Sequence, residues 1–359
     1  MISAYAPAQP YQAPHGGTDY RHAPPTEAIP LRFTGTASEY FRIWIVNVLL
    51  SVLTLGIYSA WAKVRTKQYF YRNTWLQDST FEYVADPIGI LKGRVLMATF
   101  LILLVASQHY EPGLYLFLMG IGIIATPWVV AKALAFNARN SMFRNIRFAF
   151  VRGPSESYGA YLGGGLVYLV TCGLGMPYFQ WRISQFAVEG HRYGQLPFYF
   201  RTDVGRYFNA FLIGFLTMIP IAFVWFLLAL TLREGFVEGD TTFVILPMFY
   251  ALLLVPAAYL KATIANLFWG GIHIDRHELT SNQRFGEVLW LMTTNVLAVL
   301  FSLGLAYPWA KIRSMRYLVE HLTLHADGPL HTETGYELQE VGAFGDAATD
   351  LGDFDMDFG

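Results

Sequence analysis

Two runs of the form Trp-Ala-Lys-x-Arg place paired cations beside an indole: Trp61, Lys63 and Arg65, and again Trp309, Lys311 and Arg313. At the end of an apolar segment, these residue types can hold an anion such as a lipid headgroup. The plain alternative is anchoring, with Trp rings at headgroup depth and long cations snorkelling to phosphates. Trp181 and Arg182 make a looser third instance. Inside the apolar sequence before the outer runs lie Asn47 with Thr54 and Asn295 with Ser302. These four could line a polar path; otherwise the amides hydrogen-bond helix to helix. Glu39 and Glu287, at the entry of the same segments, suit a helix start or pairing with Arg42 or the cations of another copy.

Other constellations are weaker. His273, Asp275 and His277 alternate, so on one strand they would share a face beside Glu278, but the spacing matches no strong metal signature and an exposed polar strand edge looks the same. Gly163-Gly164-Gly165 lacks a following phosphate-loop Lys and fits close helix packing better. There is no His-Glu-x-x-His, nucleophile elbow, Walker loop or paired-Cys motif. No metal, cofactor or catalytic set is expected, and dispersed basic residues argue against nucleic acid. Cys172 is the one cysteine, expected as a small buried residue with no disulfide to make.

The elements that position these residues are written twice. Residues 39–76 recur without a gap as 287–324, and a drifted copy around Leu174, Gly175, Tyr178, Trp181 and Arg182 sits between them. Repeated apolar segments mark membrane proteins built by duplication. Composition agrees: the 359 residues are 54% hydrophobic and 14% charged, against roughly 25% charged in soluble domains. Seven apolar segments stand out, at about 41–60, 93–108, 113–135, 158–179, 206–232, 242–261 and 288–309. The second, third, fifth and sixth read as plain spanning helices. The first, fourth and seventh break at Gly56, Gly175 and Gly304.

Charge decides between two topologies. If all seven segments cross, Lys and Arg divide 15 to 10. If the three Gly-broken segments enter and leave on one face, every Lys and Arg except Arg233 falls on one side, 24 of 25. The second arrangement has four spanning helices, three re-entrant or kinked hairpins turning at Gly56, Gly175 and Gly304, and both termini cytoplasmic. Backbone groups freed at those turns would need cover from protein or from a water-filled cavity.

The fold class expected is therefore an all-α multi-pass membrane protein with internal repeats. Short β-hairpins lie on its cytoplasmic face, from pieces such as Phe81–Tyr83, Ile146–Phe150, Phe198–Phe200 and Ile272–Ile274. Residues 1–30, rich in proline, read as a disordered arm; 31–325 form the membrane domain, with units of about 31–153, 154–283 and 284–325; 326–359 form an acidic disordered tail. That tail could dock a basic protein partner.

The run Thr54-Leu55-Gly56-Ile57-Tyr58-Ser59-Ala60-Trp61-Ala62-Lys63-Val64-Arg65 is distinctive, as are Phe33-x-Gly35, Glu39-Tyr40-Phe41, Asn47 and Tyr69-Phe70-Tyr71-x-Asn73-Thr74. Together they resemble the YjgN-like family of bacterial inner-membrane proteins over about residues 31–325. The resemblance implies a multi-pass inner-membrane location and brings no established activity, substrate or site residues. The middle copy departs from it, with Trp181-Arg182-Ile183 where the others have Trp-Ala-Lys.

The leading functional expectation is a transporter- or channel-like protein for a small solute or ion. The rival is a structural or headgroup-binding protein. Membrane lipids are the expected partners, with a homo-oligomer as a further option. A lipid-modifying membrane enzyme comes third.

Overall fold

The computed structural model describes residues 27–235 and 242–327. The first 26 residues of the proline-rich arm, residues 236–241 and the acidic tail from 328 onward lie outside the described residues.

Strands β1 (Glu27–Pro30) and β2 (Arg32–Phe33) lead into α1 (Ala37–Leu53) and α2 (Ser59–Arg72). Then β3 (Thr74–Leu76) and β4 (Ser79–Tyr83) precede α3 (Pro87–Tyr110) and α4 (Pro112–Arg139). Next come β5 (Ser141–Phe143), β6 (Ile146–Phe150), α5 (Pro154–Tyr158) and α6 (Gly164–Val170), the last two joined by a π-helical stretch at Gly159–Gly163. The chain continues through α7 (Met176–Gly190), β7 (His191–Tyr193), β8 (Leu196–Phe200), α8 (Val204–Gly235) and α9 (Thr242–Trp269). It ends with β9 (Ile272–Ile274), β10 (His277–Ser281), α10 (Phe285–Phe301), α11 (Tyr307–Glu320) and β11 (Leu322–Ala326).

The strands are not scattered hairpins on an all-α protein. They form one 11-stranded antiparallel sheet in the order β1-β11-β10-β9-β8-β7-β6-β5-β4-β3-β2. Its two outer strands are consecutive in the chain, parted by Leu31, whose N–H still bonds the Leu322 carbonyl at 3.1 Å. The sheet therefore curls until its ends meet in one segment, a near-closed barrel. The correction has a physical cause. Each β-hairpin alone presents two edges of unpaired N–H and C=O groups, and pairing every hairpin with the next removes them. Those pairings, such as Phe81 opposite Phe143 and Phe198 opposite Ile274, join segments separated by whole helices, so no local alternation announces them. Two-residue turns at Gln77-Asp78, Arg144-Asn145, Gly194-Gln195 and Asp275-Arg276 open on residues at φ 54°, 49°, 55° and 52°, the left-handed geometry tight hairpins need.

The barrel dictates how the helices run. Each helical hairpin leaves one strand and returns to its sheet neighbour: β2 to β3, β4 to β5, β6 to β7, β8 to β9 and β10 to β11. All five hairpins therefore depart from and return to the same side. They pack in a ring, α2 on α3, α4 on α5, α7 on α8, α9 on α10 and α11 back on α1. Four described helical stretches are long and apolar enough to cross a membrane: Pro87–Tyr110, Pro112–Arg139, Val204–Leu227 and Leu252–Trp269. Their outward residues, among them Ile102, Leu116, Phe117, Leu212 and Phe215, are exposed apolar side chains, as a lipid-facing surface requires.

Local chemistry explains where helices yield to strands. Asp86 caps α3 by accepting the Ile88 N–H at 3.0 Å, with Pro87 at the first helical position. At the other ends, Asn73 and Asn140 donate to the carbonyls of Tyr69 and Phe136, at 2.8 and 2.9 Å. His191 and His321 place Nδ1 2.6 Å from the carbonyls of Ala187 and Tyr317. Each side chain satisfies a terminal helix carbonyl one residue before or at the start of a strand. Inward residues from strands all round the sheet, including Ile29, Leu76, Phe143, Tyr193, Phe200, Ile272, Leu279, Leu322 and Leu324, share one apolar cluster. The Phe143 ring lies 4.8 Å from Phe81 and 6.0 Å from Tyr193, so the barrel lumen is filled by side chains.

Candidate functional site: a cation-rimmed apolar cavity

Above the barrel lumen, within the helical ring, is a cavity of about 790 Å³. Barrel residues Leu76, Phe81, Phe148, Phe198, Ile274 and Leu324 form its apolar end. Its other walls come from α1, α2, α4, α7, α9 and α11, with Arg94 from α3. Four cations line it, Lys63, Lys67, Arg94 and Lys311, and among the described residues its lining holds no Asp or Glu. Helical spacing accounts for their placement. Lys63 and Lys67 are one turn apart on α2, and Lys311, Met315 and Val319 succeed one another at the same spacing on α11. Lys67 donates to Asn137 Oδ1 at 3.1 Å and lies 5.1 Å from the Tyr83 ring centre.

Asn47 is buried in the wall and donates through Nδ2 to the Ala62 carbonyl at 3.4 Å. Its Oδ1 is fully enclosed and accepts no hydrogen bond. Asn295 holds the matching place, donating to the Ala310 carbonyl at 3.3 Å and to Ser314 Oγ at 3.0 Å. Its Oδ1, unlike that of Asn47, accepts from Arg313 at 3.4 Å. Gly164 in the middle hairpin packs so close to Phe179 that an added Cβ would lie 2.8 Å from the ring, leaving no room for a side chain.

Lys63 and Lys311 thus meet at one cavity, while the other basic residues singled out from sequence lie elsewhere. Arg65 donates to Tyr58 O–H at 3.1 Å and borders a shallow cleft of about 190 Å³ with Gln68, Arg72 and Asn73. Arg182 bonds Gln185 at 2.7 Å along its own helix. Arg313 lies 5.1 Å from the Trp309 ring centre and bonds Thr294. Trp61 stacks on Tyr58 at 6.2 Å, Trp181 donates to the Thr202 carbonyl at 2.8 Å, and Trp309 is exposed. Thr54 and Ser302 do not line the cavity; their hydroxyls are engaged in the turns after α1 and α10.

Those turns are built alike. Leu55 and Gly56 have φ of 51° and 90°, Leu303 and Gly304 have 51° and 90°, and Cys172 and Gly173 have 50° and 95°. The positive-φ glycine of the middle turn is Gly173; Gly175 sits two residues on, at φ −79°, as the residue before α7. Counting from Gly173, Arg182 stands at the position of Arg65 and Arg313 with no insertion. Cys172 is exposed at this tip, not buried.

The His273-Asp275-His277 alternation is broken by the Asp275-Arg276 turn, so the two histidines lie on β9 and β10. His273 Nε2 lies 3.8 Å from Glu278, and His277 Nδ1 accepts the Asp327 N–H at 3.2 Å. Burial holds His277 below its ordinary value, against the pull of Asp275 and Asp327. Burial does the same to His191, which lines the cavity as a neutral ring and adds no charge to it. Glu39 accepts from Tyr69 O–H at 3.1 Å; Glu287 accepts from Tyr317 O–H at 3.0 Å and lies 3.3 Å from His321. Sequence reasoning passed over Lys67, Arg94, Asn137 and His191. The one readable signal was the four-residue step from Lys63 to Lys67.

Fold and site define a class: a multi-pass helical membrane protein whose helical hairpins ring a cavity over a near-closed β-barrel. The chain belongs to the family described as "Bacterial protein of unknown function (DUF898)", whose model matches residues 28–351. It is 25% identical to the inner membrane protein YjgN of Salmonella typhimurium over 352 residues, covering 83% of this chain and 88% of that protein. It is 33% identical to the inner membrane protein YjgN of Escherichia coli K12 over 125 residues, 33% of this chain and 30% of that one. No solved structure matches the chain.

Proposed function

We propose that this protein binds an anionic amphiphile, a lipid-like molecule with a negatively charged head, in the cavity above the barrel. The observation that carries this reading is the cavity wall: a long apolar surface on which four cations converge. An acyl chain would lie along the apolar end and the head would sit among Lys63, Lys67, Arg94 and Lys311. Transport of a small hydrophilic solute is the less favoured reading, because the walls are apolar and aromatic side chains fill the lumen. The three short hairpins are read as copies of one unit, from their like turns and the 248-residue sequence recurrence. We read the barrel and both termini as cytoplasmic, because the topology with three re-entrant hairpins puts 24 of 25 Lys and Arg on one face.

The test is displacement of a fluorescent long-chain anionic probe from the purified protein. Anionic amphiphiles should compete at least tenfold better than zwitterionic ones of equal chain length. Equal competition by both, or displacement by soluble anions lacking a chain, would overturn the reading.

A further inference from the structure

Three of the five helical hairpins are short, and their tips have a construction the binding role does not need. In the first, every N–H from Thr54 to Ser59 is bonded locally: to Leu50 O, Val52 O, Ser51 O, Thr54 O, Thr54 Oγ1 and Gly56 O in turn. The third repeats this bond for bond from Ser302 to Tyr307, with Ser302 Oγ taking the Ala306 N–H at 2.8 Å. The middle one does so from Thr171 to Met176, with Thr171 Oγ1 taking the Gly175 N–H at 2.7 Å. The hydroxyls also donate back, Thr54 to Leu50 O at 2.8 Å, Thr171 to Val167 O at 2.7 Å and Ser302 to Val299 O at 3.2 Å.

With the N–H groups satisfied within the turn, none of these donors needs water or neighbouring protein. The side chains around it are apolar and bare. Leu55 and Leu303 are each 94% exposed, and Leu53, Ile57, Leu174, Val170, Phe301 and Leu305 are exposed with them. No charged residue lies within 52–57, 169–174 or 300–305. Leucine held at φ 51° carries a steric cost that glycine would not. Length fits the same picture. The 17 residues of α1 and 14 of α2 rise about 25 and 21 Å, short of the roughly 30 Å hydrocarbon core.

We propose that the three tips are a lipid-contact surface. Each enters the acyl-chain region bare and ends there, with Thr54, Thr171 or Ser302 supplying the acceptor that makes exposure to hydrocarbon tolerable. At one N–H per hairpin, the hydroxyl takes the place of the protein cover an open turn would require. This inference does not depend on what occupies the cavity.

The native chain carries its own probe, since its sole cysteine, Cys172, lies exposed at a tip. A nitroxide attached there, in protein reconstituted into phosphatidylglycerol–phosphatidylethanolamine vesicles, should be relaxed strongly by oxygen and weakly by a water-soluble nickel chelate. Labels at Leu55→Cys and Leu303→Cys in a Cys172→Ser background should report the same depth. Strong relaxation by the chelate would mean the tips face water, and protection from both reagents would mean protein covers them; either result overturns the proposal. Thr171→Val should loosen the Cys172 label's line shape in vesicles and Thr171→Ser should restore it. An unchanged spectrum in Thr171→Val would remove the hydroxyl from the account.

Discussion

Neutralising the two cavity lysines contributed by different hairpins is the most informative perturbation. Lys63 on α2 and Lys311 on α11 line the same wall, which holds no Asp or Glu among the described residues. A Lys near an anionic surface contributes about 1 kcal/mol. That is roughly fivefold in affinity, since about 1.4 kcal/mol is tenfold. Lys63→Gln and Lys311→Gln should each weaken binding of an anionic long-chain probe about fivefold, and the double variant about 25-fold if the two act independently. Glutamine retains most of the stem, so apolar packing is largely preserved. Arg182→Gln is the control. Arg182 bonds Gln185 along its helix and does not line the cavity, so its loss should leave affinity within twofold. Fluorescence titration of the purified variants, with zwitterionic probe binding measured alongside, reads all four values. A double variant within twofold of the native protein, or an equal loss in Arg182→Gln, would refute the assignment of the anionic head to this wall.

Other outcomes follow from the same geometry. Gly56→Ala and Gly304→Ala force a side chain into φ 90° and should each cost about 1–2 kcal/mol, read as a lowered thermal midpoint in detergent; Gly163→Ala, with open space around it, should not. Asn295→Ala removes two donations and the Arg313 acceptor, where Asn47→Ala removes one donation, so the first should lower the midpoint more. Phe143→Ala empties the barrel centre and should cost about 3–5 kcal/mol, checked by urea unfolding. The folded-state values of His191 and His277 are depressed by burial, so the unfolded chain takes up protons first as pH falls. Stability should be full above the ordinary histidine value of about 6.5, fall as pH drops below it and level off beneath the folded-state values; a midpoint flat from pH 7.5 to 5 would contradict this.

How much of this was legible depended on how local the signal was. The spanning helices announce themselves as apolar runs, and the like turns announce themselves in Thr-Leu-Gly and Ser-Leu-Gly. Four strand positions were readable from alternation, Phe81–Tyr83, Ile146–Phe150, Phe198–Phe200 and Ile272–Ile274, each inside or equal to a strand. The barrel was not, because Thr74–Leu76, Ser141–Phe143 and His191–Tyr193 are three-residue strands stabilised by partners far along the chain. The middle turn was misplaced at Gly175 because Leu174-Gly175 copies the Leu-Gly of the outer turns, whereas backbone φ and the nine-residue step to Arg182 both pick out Gly173. The cavity was half legible. Lys63 and Lys311 stood out in a repeated run, but Arg94 sits at the start of an ordinary apolar helix and nothing nearby marks it. The polar path of Asn47, Thr54, Asn295 and Ser302 was a reading of residue type alone. Of the four, only Asn47 lines the cavity, because the hydroxyl of a tip turn is taken up by its own backbone.

The central claim is that the cavity holds an anionic amphiphile, and imaging the protein in nanodiscs of its native lipids tests it most directly. Elongated density should run from the barrel end at Leu76 and Phe148 toward Lys63 and Lys311, with its bulkier head at the lysines. A cavity empty of elongated density, or a chain lying with its head against the aromatic barrel end, would contradict it.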